Sequence, residues 1–95
     1  MQNCSIGQVV YSKMGRDQGK VFVVVEIDEE YVYLADGKLR KIENPKKKKI
    51  KHIQITNNIL GNLREKITKG MKVSNADIRK SLKPFEVMKE NQELN

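Results

Sequence analysis

The apolar run at residues 21–27, with the sequence VFVVVEI, constrains the fold of this chain more than any other segment. Five of its seven side chains are β-branched, which favours a strand over a helix. A strand with one solvated face would alternate apolar and polar residues, and only Glu26 interrupts this run. We therefore expect a central strand that is covered on both faces.

Turn residues divide the neighbouring sequence into four further short strands, at residues 7–12, 31–35, 38–42 and 50–55. The pair Asp36-Gly37 is a strong hairpin signal, because both central residues of a type I′ turn need a positive φ. Five short strands joined by short turns indicate a closed or half-closed barrel rather than a flat sheet. The predicted fold is therefore mainly β.

The hydrophobic period becomes helical after residue 56. Residues 57–69 carry apolar side chains about one helical turn apart, and Gly70 is placed to end this helix in a left-handed conformation. A second helix is predicted to begin after Ser74, whose side chain would cap it, with Asp77 at the third helical position. Pro84 is expected to stop that helix.

These elements predict a single domain in three parts. Residues 5–56 form a five-stranded barrel, residues 57–83 form a helical extension that lies against it, and residues 84–95 form a disordered tail.

The composition limits the class of protein. Nineteen Lys and Arg against 12 Asp and Glu give a net charge of +7, which is typical of a chain that binds a polyanion, although a merely soluble basic protein has the same signature. The lone Cys4 cannot form an internal disulfide, and no Cys/His cluster indicates a metal site. Neither a signal peptide nor a membrane span is predicted. We expect a cytoplasmic protein without a metal or a cofactor.

The positive charge is concentrated in one stretch. Residues 38–51 contain eight Lys or Arg and one acid, Glu43, so this stretch alone carries a charge of +7. A localised patch of this kind is typical of a protein that binds a phosphate backbone, and the alternative is a solvated loop that serves solubility. Because Pro45 cannot donate to a strand ladder, the lysine run that follows at residues 46–49 is expected to be an exposed loop.

A second group of residues lies in the glycine loop at residues 13–20. Gly15 and Gly19 permit tight turns and close approach of another backbone, and Arg16 offers a planar fork for phosphate or a guanine edge. An ordinary tight turn is the alternative. The single His52 follows the lysine run, and no nucleophile–base pattern surrounds it, so we expect no enzymatic activity.

These segments resemble a known motif. Residues 7–10 and 15–27 resemble a KOW motif, a strand–loop–strand with a glycine in the loop that occurs in ribosomal proteins and transcription elongation factors. Residues 35–41, Pro45 with the lysine run, and residues 51–53 resemble the bacterial KOW-domain RNA-binding proteins, which are similar to KOW-containing large-subunit ribosomal proteins of archaea and eukaryotes. Over residues 5–56 the resemblance implies an SH3-like barrel with RNA as its partner.

The sequence therefore predicts an RNA-binding accessory protein that binds structured ribosomal RNA and is monomeric when free. The alternative is a protein-interaction module that docks on the transcription or translation machinery, with residues 57–83 as the contact for ribosomal or transcription proteins. A membrane partner is not expected. The residues predicted to contact RNA come from the glycine loop and the basic stretch: Lys13, Gly15, Arg16, Gly19, Lys20, Lys38, Arg40, Lys41, Lys46, Lys47, Lys48, Lys49, Lys51 and His52.

Strand alternation predicts one core, formed by Val9, Val23, Val25, Val32, Leu34, Leu39, Ile53 and Ile55. If these residues do form one core, Val23→Asp places an unpaired charge in that core and the domain unfolds. Chemical denaturation followed by circular dichroism tests this expectation. A variant that still unfolds cooperatively, near the wild-type midpoint, would show that the predicted strand register is wrong.

Overall fold

The computed structural model describes the backbone of residues 4–94 and the side chains of residues 4–86. In chain order the elements are β1 (Gln8–Ser12), β2 (Val21–Asp28), β3 (Tyr31–Ala35), β4 (Lys46–Lys49), a 3₁₀ turn (Ile50–His52), β5 (Ile53–Ile59), α1 (Gly61–Thr68) and α2 (Asn75–Leu94). All strand pairs are antiparallel, and the five strands form one sheet in the order β4-β3-β2-β1-β5. The prediction of a mainly β, barrel-like fold followed by C-terminal helices is confirmed.

The central strand β2 is covered on both of its faces, as its composition predicts. Its first five residues, 21–25, are all buried. Val23 lies between Val9 of β1 and Ala35 of β3, so β2 also has a hydrogen-bonded neighbour on each side. No part of this half of the strand faces solvent.

The expectation of one core is wrong, because the sheet has a separate apolar cluster on each face. One cluster contains Val9, Val21, Val23, Val25 and Ala35 together with the helix residues Leu63, Val73, Ile78 and Leu82. The other contains Val10, Phe22, Val24, Val32, Leu34 and Ile53. Adjacent strand residues point to opposite faces, so a run that is apolar throughout supplies both clusters. Leu39 belongs to neither and is 79% exposed.

Both C-terminal helices pack against the sheet through Leu63, Ile78 and Leu82, but the first begins later than expected. β5 continues to Ile59, which pairs with Gln8, and α1 starts only at Gly61. The turn into α1 is fixed by the Leu60 amide, which donates to the Gly7 carbonyl at 2.7 Å. Neither helix in the described part of the chain combines the length and apolar character needed to cross a bilayer.

The predicted helix ends are only partly correct. Gly70 has φ +71°, and Met71 N–H donates to the Lys66 carbonyl at 2.7 Å, which is the left-handed cap expected after α1. Ser74 Oγ accepts the Asp77 amide at 3.0 Å and caps α2 as predicted. However, α2 does not stop at Pro84.

The backbone stays helical through Pro84 to Leu94, and residue 95 lies outside the described residues. The expectation that Pro84 ends the helix is therefore wrong, whereas the disordered tail expected over residues 84–95 stays a prediction. Proline removes one amide donor but has a helical φ, and its side chain is exposed here, where no packing is disturbed.

The strand predicted at residues 38–42 does not exist. Residues 36–40 form a turn in which the Asp36 and Gly37 amides both donate to the Arg40 carbonyl, at 2.9 and 3.1 Å. The Asp36 carboxylate accepts the amides of Lys38 and Arg40, each at 2.9 Å, and so occupies donors that a strand ladder would need. The partner of β3 is instead the lysine run itself, β4. The last strand starts at Ile53, after the 3₁₀ turn, rather than at residue 50.

The packing of α2 on the sheet generates a stability prediction. Leu82 is fully buried in the helix-side cluster, so Leu82→Ala should lower the free energy of unfolding by about 2–5 kcal/mol. The matched control is Lys80→Ala, an exposed change on the same helix, which should leave the melting temperature nearly unchanged. Equal melting temperatures for the two variants would mean that α2 is not part of the cooperative core.

Candidate nucleic-acid interface

The glycine loop joins β1 to β2 and is closed by backbone hydrogen bonds. The Gly19 amide donates to the Ser12 carbonyl at 2.8 Å, and the Ser12 amide donates to the Lys20 carbonyl at 3.0 Å. Gly15 and Gly19 have φ values of +91° and +87°, in the region that favours glycine. The loop therefore depends on both glycines for its backbone path, and it presents the Arg16 side chain to solvent.

Asp17 fixes the glycine loop to the edge of the sheet. Its Oδ1 accepts the Ser12 hydroxyl at 2.7 Å and the Lys48 Nζ at 3.1 Å, and its Oδ2 lies 3.0 Å from the Lys46 Nζ. The Lys46 ammonium therefore forms an ion pair with the second oxygen of the same carboxylate. Lys48 also donates to the Met14 carbonyl at 2.8 Å. We call Ser12, Asp17, Lys46 and Lys48 the Asp17 hub.

The hub holds Asp17 in its charged form. Burial alone would raise the pKa of this carboxyl, but the Ser12 hydroxyl and the Lys46 and Lys48 ammonium groups outweigh burial and lower the pKa to about 2. Lys48 is itself buried, with a side chain only 9% exposed. A buried ammonium needs a charged partner, and Asp17 supplies it.

The expectation that the lysine run is an exposed loop is wrong. The run is the edge strand β4, and its side chains alternate between the two faces. Lys46 and Lys48 pair in register with Leu34 and Val32 and turn toward the Asp17 hub. Lys47 and Lys49 are exposed on the other face.

Lys47 has an aromatic partner on that face. Its Nζ lies 4.4 Å from the centre of the Tyr31 ring, a cation–π contact. Two of the four lysines of β4 thus form ion pairs with Asp17, and Lys47 contacts a tyrosine ring. Lys49 has no ion-pair partner among the described side chains.

Three unpaired cations from two loops meet at one cleft. Arg16 and Lys20 come from the glycine loop and Arg40 from the turn after β3. They surround a cleft of about 330 Å³, whose lining is completed by Asp17, Phe22, Asp36, Leu39 and Lys46. None of the three forms an ion pair with an acid among the described side chains, whereas the two lining carboxylates already hold the hub lysines and two backbone amides. We call this surface the basic cleft, and its free donors suit an anion.

The other predicted contact residues lie outside the basic cleft. The Lys13 amide donates to the His52 carbonyl at 2.9 Å, which joins the glycine loop to the 3₁₀ turn, and Lys51 is exposed beside it. Loss of hydration and then repulsion from nearby lysines, Lys51 first, lower the pKa of His52 below its ordinary value. Lys38 pairs with Glu86 at 3.2 Å, and Lys41 is exposed.

Two residues that organise this surface are absent from the sequence-based set. Asp17 could have been recognised, because it is the only acid among the cations of the glycine loop. Asn75 could not have been recognised. Its side chain binds the loop after β3 from 33 positions away in the chain, and no local pattern signals that contact.

A comparison of the chain with protein-family models and with curated proteins gives no match.

The Asp17 hub generates a prediction about stability and its pH dependence. Asp17→Asn leaves the Lys48 ammonium buried without its counter-charge, which should cost about 3–5 kcal/mol. Because the folded pKa lies below the ordinary value of 3.8, the wild-type protein has this carboxylate's stabilisation above pH 4. The free energy of unfolding of the wild-type protein should fall by on the order of 2 kcal/mol as the pH falls through about 2. The variant should lack that loss. Urea unfolding over a pH series measures both effects.

Two further variants sharpen this test. Adding Lys48→Met to Asp17→Asn removes the orphaned charge and should restore part of the stability, because an apolar side chain of similar length covers the same face. Asp28→Asn, at an exposed acid, is the matched control and should leave stability nearly unchanged. An Asp17→Asn variant as stable as this control would contradict a structural role for the hub.

Proposed function

We propose that this protein binds structured RNA through the basic cleft and the cations beside it. The observation that carries the proposal is the meeting of Arg16, Lys20 and Arg40, from separate loops, around one concave surface, where none of them pairs with an acid among the described side chains. Unpaired guanidinium and ammonium groups are the donors that phosphate oxygens accept best. The net charge of +7 would draw a polyanion to the whole molecule.

A polyanion fits the arrangement better than a single phosphate does. Further exposed cations come from the same segments and from the 3₁₀ turn joined to them: Lys13 in the glycine loop, Lys51 in the 3₁₀ turn and Lys41 after the turn that carries Arg40. Such a distribution favours a ligand that carries phosphates at regular intervals. The resemblance of residues 5–56 to KOW-domain RNA-binding proteins names RNA as that ligand, and ribosomal RNA in particular. A non-enzymatic, cytoplasmic protein that is associated with translation and monomeric when free is part of this proposal.

Lysines and arginines would contribute to RNA binding in different ways. Lysines neutralise phosphates and release condensed counterions, which gives affinity that depends on salt but not on sequence. Arginines in a shaped cleft read geometry through their planar forks.

The proposal predicts that cleft cations dominate RNA affinity. A triple variant, Arg16→Gln with Lys20→Gln and Arg40→Gln, removes no described ion pair and should remain folded. Its affinity for structured ribosomal RNA should fall, and the slope of log affinity against log salt should become shallower by about two to three units. Fluorescence anisotropy across a salt series, with circular dichroism as the check on folding, measures this.

The matched control removes the same three charges elsewhere. Arg64→Gln with Lys72→Gln and Lys80→Gln changes exposed cations on α1, just after α1 and on α2, and it too removes no described ion pair. If both triple variants lose the same affinity and slope, the attraction is general and the cleft is not the site. A wild-type protein without salt-dependent RNA affinity would overturn the proposal and favour docking on a protein partner.

Neutralising the whole lysine run is not a valid test of this interface. Lys46 and Lys48 belong to the Asp17 hub, so a variant lacking them loses a structural contact as well as charge. Lys49 is exposed and has no described ion-pair partner, so it can be changed without that complication, whereas a change at Lys47 also removes the contact with the Tyr31 ring.

A further inference from the structure

Helix α2 holds the loop that carries part of the basic cleft. This loop, residues 36–45, contains Lys38, Arg40 and Lys41 and has no strand or helix of its own. We call it the basic loop. A segment of ten residues without regular structure would sample many conformations unless other elements fixed it.

Asn75, the first residue of α2, binds the second half of the basic loop with both ends of its amide. Its Oδ1 accepts the Ile42 amide at 2.8 Å, and its Nδ2 donates to Glu43 Oε1 at 2.7 Å. The Ile42 side chain meanwhile packs against the helix-side cluster. Asn75 therefore fixes the chain at Ile42 and Glu43, between the turn and β4.

Arg79, one helical turn further on, binds the first half of the loop. Its Nη1 donates to the Gly37 carbonyl at 2.7 Å. Gly37 has φ +78°, and a Cβ at this position would collide with the Asn75 carbonyl oxygen and with Arg79 Cγ. The turn thus lies directly on the helix, at a distance that only glycine permits.

The spacing of residues along α2 explains how one helix contacts both the sheet and the basic loop. Ile78 and Leu82 are four residues apart and form an apolar stripe, fully buried on the sheet. Asn75 and Arg79 are also four residues apart and form an adjacent polar stripe. The apolar stripe fixes the helix, and the polar stripe transfers that rigidity to the basic loop.

We infer that Asn75 and Arg79 are positioning residues for RNA binding, which hold the basic loop in the conformation that presents Arg40 at the cleft. This inference rests on the proposed function. Arg40 lies between the two anchored points, so both contacts restrict where its side chain can reach. A loop that is ordered before binding does not lose that conformational entropy in the complex.

The test uses a change that leaves the net charge untouched. Asn75→Ala removes both amide hydrogen bonds while keeping every cation, so affinity for structured ribosomal RNA should fall by roughly two- to tenfold. The salt slope should stay at the wild-type value, because the same phosphates are neutralised in the complex. Hydrogen exchange of the Ile42 amide in the free protein should accelerate. Asn62→Ala, at an exposed position of α1, is the matched control and should change none of these.

A compensating variant separates positioning from general damage. Asn75→Asp combined with Glu43→Gln exchanges donor and acceptor across this contact, keeps an acceptor for the Ile42 amide, and leaves the net charge at +7. It should recover both the slow exchange and the RNA affinity. Wild-type affinity and exchange in Asn75→Ala would overturn the inference, as would faster exchange with unchanged affinity.

The exchange measurement also distinguishes the two proposals. If the wild-type protein binds no RNA but Asn75→Ala still accelerates Ile42 exchange, the proposed function fails while the helix–loop anchor stands. If RNA binds with the expected salt dependence and Asn75→Ala alters neither readout, the function stands and the positioning role fails.

Discussion

The burial of β2 on both faces is the constraint on which the rest of this structure depends. A strand that is apolar on both faces needs apolar packing partners on both faces, and the other strands of this small sheet supply them for only one face. Strands β3 and β5 contribute Val32, Leu34 and Ile53 to one face. Leu63, Ile78 and Leu82 of the helices cover the other. Removing the helices would therefore expose Val9 and Val23 to water. The helical extension is part of the core rather than an appendage to it.

The position of the charges matters more than their number. Residues 38–51 carry +7 by sequence, but in the part of the chain whose side chains are described, three of their eight cations pair with acids from elsewhere. Lys46 and Lys48 share Asp17, and Lys38 meets Glu86. The cations that remain for a ligand are joined by Arg16 and Lys20 from a different loop. A charge cluster in a sequence thus locates the basic region, but it does not show which of its cations pair with acids from elsewhere in the chain.

The parts of the fold that local physical chemistry determines could be predicted from the sequence. The β-branched run predicts β2, the glycine cap predicts the end of α1, and the serine cap predicts the start of α2. The errors arose where a side chain competes with the backbone or a contact spans the chain. Asp36 takes the amides that the strand predicted at residues 38–42 would use, and the lysine run becomes a strand because Asp17 neutralises its inward side. Neither effect has a periodicity that a sequence pattern reveals.

The candidate site inherits its geometry from both layers of the fold. Arg16 and Lys20 are fixed through the Asp17 hub, whose lysines belong to the edge of the sheet. Arg40 is fixed through Asn75 and Arg79, which belong to a helix that the sheet holds in place. The cations on the two sides of the cleft therefore keep their relative positions only while β4 and α2 both remain docked on the same sheet. Because Asn75 and Arg79 lie beyond residue 56, the shape of the basic cleft depends on residues outside the segment for which the sequence predicts a barrel. A chain with the same first 56 residues and a different C-terminal extension would present the same charges in a different arrangement.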